Sequence, residues 1–327
     1  MTDAIQIQTM VIDVPLPHAV ADRLTAEFSA IDFVFEGDPR RAAKIGVAEA
    51  YYHWNLTAET LAEAPHLRWY QSVAAGVEKV ITPELRVRDI IVTNNSGVHA
   101  INIAEHVLAM MLAISRLLPG LILAQAQHQW KEDETHHRMS EFVEVGGQTL
   151  LVVGYGEIGR HLAKIASGVG MTVDAVKRTT SGETDVFTRE IAPIAELRRL
   201  LPSADHVAIC LPLTPETHGL FDSEMVAAMK PGSFIYNIGR GQILESKALI
   251  AALESGHLRG AGLDVTDPEP LPVDSPLWDM KNVLITAHTA GATPHYWERA
   301  SEILITNIKR ISAGETPVNL VDQHLGY

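Results

Sequence analysis

Hydrophobic residues in the second half of the chain recur in short runs that alternate with longer amphipathic stretches. The short runs, rich in β-branched residues, predict strands at QTLLVVG (148–154), MTVDAVK (171–177), HVAICLPL (206–213), SFIYNI (233–238), GAGLDV (260–265) and NVLITAH (282–288). The longer stretches predict helices at EIGRHLAKIASGVG (157–170), IAELRRLLPSA (194–204) and SKALIAALESG (246–256). Strands that alternate with helices of this length indicate βαβ units in a doubly wound parallel sheet.

The first hundred residues show a weaker form of the same alternation. Strands are predicted at QTMVIDV (8–14), AAKIGVA (42–48), LRWYQSVA (67–74) and DIIVTNN (89–95). An apolar stretch from about Ala100 to Leu118 predicts a long helix that crosses into the second domain and ends at the Pro119-Gly120 turn. The amphipathic segment 293–315 predicts a final helix that returns to the first domain.

These patterns predict the α/β class with two Rossmann-like, doubly wound domains. A discontinuous substrate (catalytic) domain is expected over residues 1–105 and 293–327, and a dinucleotide-binding domain over residues 106–292. A chain of 327 residues is long enough to give each domain its own core.

Composition and charge narrow the possible partners. The net charge of −14 argues against a nucleic-acid or anionic-membrane partner, because both need clustered Lys and Arg. The single cysteine, Cys210, leaves no intrachain disulfide and fits a reducing compartment. The beginning of the sequence lacks a signal-peptide pattern, and the apolar stretch after residue 100 contains Glu105, His106 and Arg116. We therefore expect a cytoplasmic protein without a membrane span, and no residue spacing suggests a metal site.

A glycine-rich turn joins the strand predicted at 148–153 to the helix that follows it. Gly154, Gly156 and Gly159 have the G-x-G-x-x-G spacing in the strand-to-helix context that gives this motif its meaning. The first glycine permits the tight turn, the second lets the backbone approach a pyrophosphate, and the third lets the helix pack on the strand. The first helical residues, Glu157 and Ile158, offer their amides and the positive end of the helix dipole to the phosphates.

The end of the next strand distinguishes between the two nicotinamide cofactors. NAD enzymes usually carry an acidic residue there, which binds the ribose hydroxyls. In this chain the position is occupied by V-K-R-T-T, with Lys177, Arg178 and Thr179, whereas Asp174 lies three residues too early. Two cations and neighbouring hydroxyls suit a 2′-phosphate, which predicts NADP. The alternative is NAD, with Lys177 and Arg178 forming a solvated turn.

Three residues with acid–base or anion-binding chemistry follow separate predicted strands. Arg240 follows SFIYNI, Glu269 follows GAGLDV, and His288 ends NVLITAH. Ligands of an open α/β sheet bind beyond the carboxyl ends of its strands, so these side chains are expected at one crevice. Reduction of a keto group needs a proton donor, for which His288 is suited, with Glu269 to orient it and favour its protonated form. Arg240 is expected to bind a substrate carboxylate and polarise the carbonyl.

With these residues the chain resembles the D-isomer-specific 2-hydroxyacid dehydrogenase family, in the branch of glyoxylate/hydroxypyruvate reductases. The resemblance extends from about Gln71 to Thr293 and includes SVAAGVE, SGVHAINIAEHVLAMML, VVGYGEIGR, CLPLTPETHGLF, NIGRG, GAGLDVTDPEP and NVLITAHTAGAT. It implies oxidoreduction of a small 2-keto acid and its D-2-hydroxy acid, with Arg240, Glu269 and His288 as the catalytic triad. Two positions depart from the family pattern: Ala287 replaces the usual Pro before the catalytic His, and Lys177 replaces the usual acid.

The resemblance also implies further binding residues and an assembly. Asp264 is expected to contact the nicotinamide carboxamide, and the other expected cofactor residues are Leu211, Pro212, Thr217, Ile238 and Gly239. The loop Ala74-Ala75-Gly76 is expected to bind the substrate carboxylate through its amides, and the family is typically dimeric.

Alternatives remain open for the substrate and for catalysis itself. The aromatic residues Tyr51, Tyr52, His53, Trp54, Tyr296 and Trp297 either line a pocket for larger 2-keto acids or pack as ordinary structural residues. A non-catalytic protein that senses a dinucleotide and binds a partner is the alternative outside enzymes.

Overall fold

The computed structural model describes residues 4–77, 80–180, 182 and 184–323. Its chain separates into two compact units, one formed by the residues up to Val98 and from Thr293 onwards, the other by His99–Ala292. We call these the terminal unit and the central unit. The predicted domain limits at residues 1 and 327, and the last residue of the SVAAGVE motif, lie outside the described residues.

The terminal unit contains a five-stranded parallel sheet. Its strands are β1 (Thr9–Ile12), β2 (Asp32–Phe35), β3 (Ala50–His53), β4 (Trp69–Ser72) and β5 (Ile91–Thr93). They lie in the order β2-β1-β3-β4-β5. The helices of this unit are α1 (His18–Glu27), α2 (Arg41–Lys44), α3 (Ala58–Glu63), α4 (Pro83–Arg86) and the last helix of the chain, Tyr296–Ser312.

The last helix forms part of the core of the terminal unit. Its buried side chains include Leu304 and Ile308, which belong to the same hydrophobic cluster as Met10, Ile12 and Trp69 of the sheet. The amphipathic helix predicted over 293–315 therefore covers a sheet whose strands lie between residues 9 and 93.

One predicted strand of the terminal unit is wrong. Residues 42–48 form the end of α2 and a 3₁₀ turn, Ile45–Val47, instead of a strand. Ala and Lys favour the helical turn, and Lys44 is fixed there by an ion pair with Asp32 (Nζ–Oδ2 2.6 Å). The strands β2 and β3, which the pattern did not predict, occupy that part of the sheet.

The central unit contains a seven-stranded parallel sheet. Its strands are β6 (Thr149–Val153), β7 (Thr172–Lys177), β8 (Glu190–Pro193), β9 (His206–Ile209), β10 (Ser233–Asn237), β11 (Leu258–Leu263) and β12 (Val283–Ile285). The strand order is β12-β11-β10-β9-β6-β7-β8. Strands β7 and β8 are added on one side of β6 and strands β9 to β12 on the other, so the topological switch point lies between β6 and β9. The six predicted strands of this unit and the predicted α/β fold are confirmed, and β8 was not predicted.

The helices of the central unit cover both faces of this sheet. They are α5 (Ala100–Ser115), α6 (Leu118–Ala126), α7 (Glu132–His137), α8 (Glu157–Gly168), α9 (Leu197–Leu200), α10 (Ser223–Ala227) and α11 (Ser246–Glu254). The predicted helix 194–204 is broken, because α9 is flanked by separate 3₁₀ turns at Ile194–Glu196 and Leu201–Ser203.

Helix α5 begins at Ala100, as predicted, but ends earlier than predicted. It stops at Ser115, where Leu117 adopts a left-handed backbone (φ 57°), and Pro119 lies inside the first turn of α6 instead of ending the helix. A proline is tolerated in a first turn because its missing N–H has no intrahelical partner there.

The predicted domain boundary at 105/106 falls within α5, whereas the structure divides at 98/99. The side chains of Ala104, Val107 and Met110 belong to a core of the central unit, so the first turns of α5 are part of that unit.

The described residues contain neither a single helix that could span a membrane nor a cluster of metal-binding side chains. No single described helix is long and apolar enough to cross a membrane; α5 and α6 meet that criterion only as a pair, and they are bent by 75°. The same residues contain no group of three or more His, Cys, Asp and Glu side chains that could hold a metal ion.

Candidate active site

The carboxyl ends of the central strands bring most of the predicted site residues to one edge of the sheet. Backbone hydrogen bonds extend the strand register past the strand ends, as from Asp264 N–H to the carbonyl of Asn237 (3.0 Å) and from Thr286 N–H to the carbonyl of Leu263 (2.9 Å). Gly154, Arg240 and His288 follow β6, β10 and β12 on this edge. The edge includes the switch point, where open α/β sheets bind their ligands.

The glycine turn after β6 has steric requirements at two of its three positions. Gly154 has φ 110°, and a Cβ there would lie 2.8 Å from the carbonyl carbon and oxygen of Cys210. A Cβ on Gly159 would lie 2.3 Å from the carbonyl oxygen of Gly154. These two positions therefore need glycine for the turn and for close packing of α8 on β6.

The middle glycine is different, because nothing in the described structure lies within 4 Å of an ideal Cβ at Gly156. Gly156 is the N-cap of α8, and among the described residues no side chain caps this helix. Glu157 is exposed and Ile158 is half-buried at its first turn. The open space before an uncapped helix N-terminus fits the pyrophosphate of a dinucleotide, which would bind the free amides.

The end of β7 carries the residues predicted to select the cofactor. Lys177 is half-buried as the last residue of the strand, and Arg178 and Thr179 are exposed in the turn after it. Asp174 is buried within β7 and forms an ion pair with Arg189, whose Nε lies 2.9 Å from Oδ1. Asp174 is thus engaged within the protein and does not replace the acid that is missing at the strand end.

Arg178 has an acidic neighbour in the loop after β9. Hydrogen bonds from the Thr214 hydroxyl and from its own backbone amide, together with the charge of Arg178, hold the pKa of Glu216 below its usual range. An anion bound by Arg178 would compete with this carboxylate for the guanidinium.

The loops after β9 and β10 are in close backbone contact. The Thr217 hydroxyl donates to the carbonyl of Pro212 (2.7 Å), so this predicted cofactor residue also closes its own loop. Leu211 and Ile238 are buried, and a Cβ on Gly239 would lie 2.6 Å from the carbonyl oxygen of Leu211. The small residue at 239 lets the two loops meet.

Arg240 is fixed through its backbone at the end of β10. Asn237 donates from Nδ2 to the carbonyl of Arg240 (3.0 Å), and its Oδ1 accepts the amide of Gly239 (3.1 Å). The guanidinium of Arg240 donates to the carbonyl of Gly239 (2.8 Å) and remains half-buried. The side chain therefore starts from a rigid turn.

His288 and Glu269 are in direct contact. Nδ1 of His288 lies 2.6 Å from Oε1 of Glu269, and the two side chains are 48% and 41% exposed. An ionised carboxylate only accepts hydrogen bonds, so Nδ1 carries a proton and Nε2 is the nitrogen available to a substrate. The backbone of His288 is left-handed (φ 54°), an uncommon conformation for a residue with a Cβ.

Asp264, which is 3% exposed, organises the loop that carries His288. Its Oδ1 accepts the hydroxyl of Thr286 (2.5 Å) and the amide of Thr289 (2.9 Å), and its Oδ2 accepts the amide of Ala290 (3.1 Å). The amide of His288 donates to the Asp264 carbonyl (2.8 Å). This arrangement was missed by the sequence analysis, which assigned Asp264 to the nicotinamide alone.

The predicted substrate loop, Ala74-Ala75-Gly76, follows β4 in the terminal unit. The carbonyl of Ala75 accepts from Asn94 Nδ2 (2.7 Å), and that of Ala74 accepts the Asn95 amide (3.3 Å). These bonds use carbonyl oxygens of the loop, and its amides are the groups predicted to bind an anion.

The aromatic residues separate into two sets. Tyr51 and Tyr52 are buried in the core of the terminal unit, which favours the alternative that these two side chains pack as ordinary structural residues. Trp54 is 44% exposed and stacks on Tyr296, with ring centroids 6.1 Å apart. Trp54 and Tyr296 remain candidates for a surface that contacts a ligand.

Comparison with known proteins gave consistent matches. Residues 108–290 match the family model for the NAD binding domain of D-isomer specific 2-hydroxyacid dehydrogenases. A glyoxylate reductase from Korarchaeum cryptofilum is 33% identical over 274 residues, which cover 83% of this chain and 80% of that protein.

Solved structures show the same similarity over the whole chain. A D-isomer specific 2-hydroxyacid dehydrogenase from Xanthobacter autotrophicus Py2, in complex with NADPH and MES, has a TM-score of 0.82 at 29% identity and covers 98% of this chain and 100% of its own. An NADPH-dependent glyoxylate/hydroxypyruvate reductase from Sinorhizobium meliloti, in complex with NADP and sulfate, has a TM-score of 0.80 at 25% identity, with the same coverage.

The family model spans more than half of the chain, and the matched region contains the glycine turn and all three residues of the predicted triad. The fold, the glycine turn and the matches agree on a nicotinamide dinucleotide as cofactor and on 2-hydroxy or 2-keto acids as substrates. The chain belongs to the D-isomer specific 2-hydroxyacid dehydrogenase family.

Proposed function

We propose that this protein reduces a small 2-keto acid to the D-2-hydroxy acid, with NADPH as the preferred reductant. The observation that carries this proposal is the contact between His288 Nδ1 and Glu269 Oε1 (2.6 Å) at the carboxyl edge of the central sheet. A protonated imidazole held by a carboxylate is the proton donor that reduction of a keto group requires.

His288 acts from Nε2, because Glu269 occupies Nδ1. As negative charge develops on the carbonyl oxygen, Nε2 transfers its proton to that oxygen. Glu269 fixes the orientation of the ring and stabilises the imidazolium that exists before the transfer. In the oxidative direction the neutral imidazole accepts the same proton.

Arg240 binds the substrate carboxylate and polarises its carbonyl. Its guanidinium starts from a turn fixed by Asn237, on the strand next to the one that leads to Glu269. Charge-assisted hydrogen bonds from guanidinium to carboxylate are directional, so they also orient the keto group toward the acid. For the terminal unit, we keep the prediction that the amides of the loop Ala74-Ala75-Gly76 bind a carboxylate.

The turn from Gly154 to Gly159 would hold the pyrophosphate of the cofactor, and Lys177, Arg178 and Thr179 would hold the 2′-phosphate of NADP. Once bound along the carboxyl edge, the cofactor would supply the hydride. The ion pair of Asp174 with Arg189 supports this preference for NADP, because the described residues 174–180 at the end of β7 then offer no carboxylate to the ribose hydroxyls. The NADPH and NADP complexes of the two relatives point in the same direction.

Glyoxylate and hydroxypyruvate are the first substrates to test, because similar proteins are named as reductases of these acids. Larger 2-keto acids are a second class of substrate to test, because the exposed ring of Trp54, stacked on Tyr296, could contact a larger side chain.

We further propose a cytoplasmic homodimer. Exposed apolar side chains on and after α6, with Ile122 at 61%, Leu123 at 60% and Trp130 at 89%, support self-association.

The test is oxidation of NADPH and of NADH with a panel of glyoxylate, hydroxypyruvate and longer 2-keto acids. We expect turnover with at least one acid, a kcat/KM that is higher with NADPH, and a D-configured product on chiral chromatography where the product is chiral. No turnover with any acid would overturn the enzyme assignment in favour of a dinucleotide-sensing binding protein. Equal efficiency with NADH would refute the NADP preference alone.

A further inference from the structure

Helix α5 presents two polar side chains to the loop 286–290, which carries His288. Asn102 Nδ2 donates to the carbonyl of Ala290 (2.7 Å), and His106 Nε2 lies 2.9 Å from the Thr286 hydroxyl. Residues four apart on a helix share one face, so the two contacts come from successive turns. They reach the first and the last residue of the loop.

Hydrogen bonds connect His106 to Asp264 through the Thr286 hydroxyl. The Thr286 hydroxyl donates its hydrogen to Asp264 Oδ1 (2.5 Å), so its oxygen accepts from Nε2–H of His106. His106 Nε2 itself lies 3.8 Å from the same carboxylate oxygen. The side chains of His106, Thr286 and Asp264 thus form one chain of hydrogen bonds, which ends on the amides of Thr289 and Ala290.

The loop needs such support for a physical reason. His288 has a left-handed backbone (φ 54°), which a residue with a Cβ keeps only when its surroundings impose it. Its imidazole is nearly half exposed, so packing contributes little to the orientation of the ring. The residue before it is Ala287, whose φ is not restricted by a ring.

We propose that Asn102 and His106 are positioning residues for His288. They hold the two ends of the loop 286–290 and thereby set the direction in which the imidazole meets Glu269 and the substrate carbonyl. Neither residue touches the reacting atoms in this role. The inference rests on the proposed function in assigning proton transfer to His288, whereas the position of the ring can be measured without turnover.

The experiment compares variants that keep the shape of each side chain with variants that keep its hydrogen bond. His106→Phe retains a ring but no donor, and His106→Gln retains an N–H donor. Asn102→Asp keeps the shape and replaces the donor to the Ala290 carbonyl by an acceptor. His257→Phe is the matched control, because that half-buried imidazole bonds the carbonyl of Val226, outside the loop.

Two readouts are used on the full-length protein. The first is the downfield imidazole proton resonance of the His288–Glu269 hydrogen bond, identified by its loss in His288→Ala. The second is the steady-state rate with the best keto acid, together with the Kd for NADPH. We expect His106→Phe and Asn102→Asp to broaden or lose the resonance and to lower kcat about 10- to 100-fold, because small misplacement of a reacting group is costly. The Kd for NADPH should change less than threefold.

His106→Gln should recover most of the resonance and most of kcat, and His257→Phe should leave both as in the wild type. If His106→Phe and Asn102→Asp keep the resonance and kcat, the proposal is overturned. It is also overturned if His106→Gln loses as much as His106→Phe, since restoring an N–H donor would then recover nothing. Where a variant at 106 fails to fold, Thr286→Val removes the same link and is judged by the same criteria.

Failure of the proposed function would look different. A wild-type protein that turns over no keto acid would refute the enzyme assignment, while the resonance would still report whether α5 orients His288.

Discussion

His206 is a buried histidine whose proton equilibrium should make the central unit sensitive to acid. The ring opens strand β9 and stacks on Phe234, with ring centroids 4.9 Å apart. Its Nδ1 lies 3.0 Å from the Tyr236 hydroxyl and its Nε2 lies 2.5 Å from Gln148 Oε1. A neutral imidazole satisfies both contacts, since one nitrogen donates to the amide oxygen and the other accepts the phenol hydrogen.

Burial lowers the pKa of His206 from 6.5 to about 4, and the negative charge of Asp205 offsets only part of this effect. The unfolded chain therefore binds the proton more tightly than the native protein. The native protein therefore keeps its full stability above pH 6.5 and loses stability as the pH falls from 6.5 toward 4. The difference in pKa between the unfolded and the native state corresponds to about 3 kcal/mol in the free energy of unfolding, of which about 2 kcal/mol is lost between pH 7 and pH 5.

The measurement is urea unfolding of wild type and His206→Gln at pH 7 and pH 5, followed by circular dichroism. Other groups that titrate over this range cancel in the difference between the two proteins. We expect the wild type to lose about 2 kcal/mol more than the variant on acidification. His257→Gln, which removes a half-buried imidazole and its bond to the Val226 carbonyl, is the matched control variant. Equal pH dependence of wild type and His206→Gln would refute the reasoning, whatever the stability of the variant at pH 7.

Three further predictions concern the site. His288→Ala should lower kcat by roughly 10²- to 10⁴-fold in NADPH oxidation assays while NADPH still binds with wild-type affinity, and near-normal turnover would remove His288 from the mechanism. Gly156→Ala should leave the Tm unchanged, because its Cβ meets nothing, yet raise the Kd for NADPH in a fluorescence titration about tenfold or more; unchanged affinity would contradict close approach of the pyrophosphate. Lys177→Asp combined with Arg178→Ala should shift the ratio of kcat/KM values toward NADH, and an unaltered ratio would place the 2′-phosphate elsewhere.

The strands of the central unit could be predicted because most of them are continuous apolar runs buried on both faces. The strands that were missed are four residues long, namely β2 (DFVF), β3 (AYYH) and β8 (EIAP). Strand β8 ends in Pro193 and lies at the edge of the sheet, where a residue without an N–H costs no ladder bond. Strand β2 is also an edge strand, whereas β3 lies between β1 and β4; segments of four residues carry too little periodicity to separate them from loops.

The site was predictable where a residue's position follows from a strand end. Gly154, Arg240 and His288 lie on one edge because parallel strands all end there. The side chains that contact the loops at this edge were not predictable, because these contacts depend on how closely helix α5 packs against the loop 286–290. Asn102 and His106 are two polar residues in an apolar helix, and their four-residue spacing was the signal that could have marked them.

The last helix has a consequence for how the chain is made. Leu304, Ile305 and Ile308 complete a cluster that includes Met10 and Ile12, close to the other end of the sequence. During synthesis this face of the first sheet is therefore covered only in part, by α1, until residues 296–312 have been made. The central unit is continuous and can fold as soon as its own residues leave the ribosome. A chain interrupted shortly before Thr293 would contain the glycine turn and every residue of the predicted triad, yet its terminal unit would lack the last helix and would be a target for chaperones and proteases.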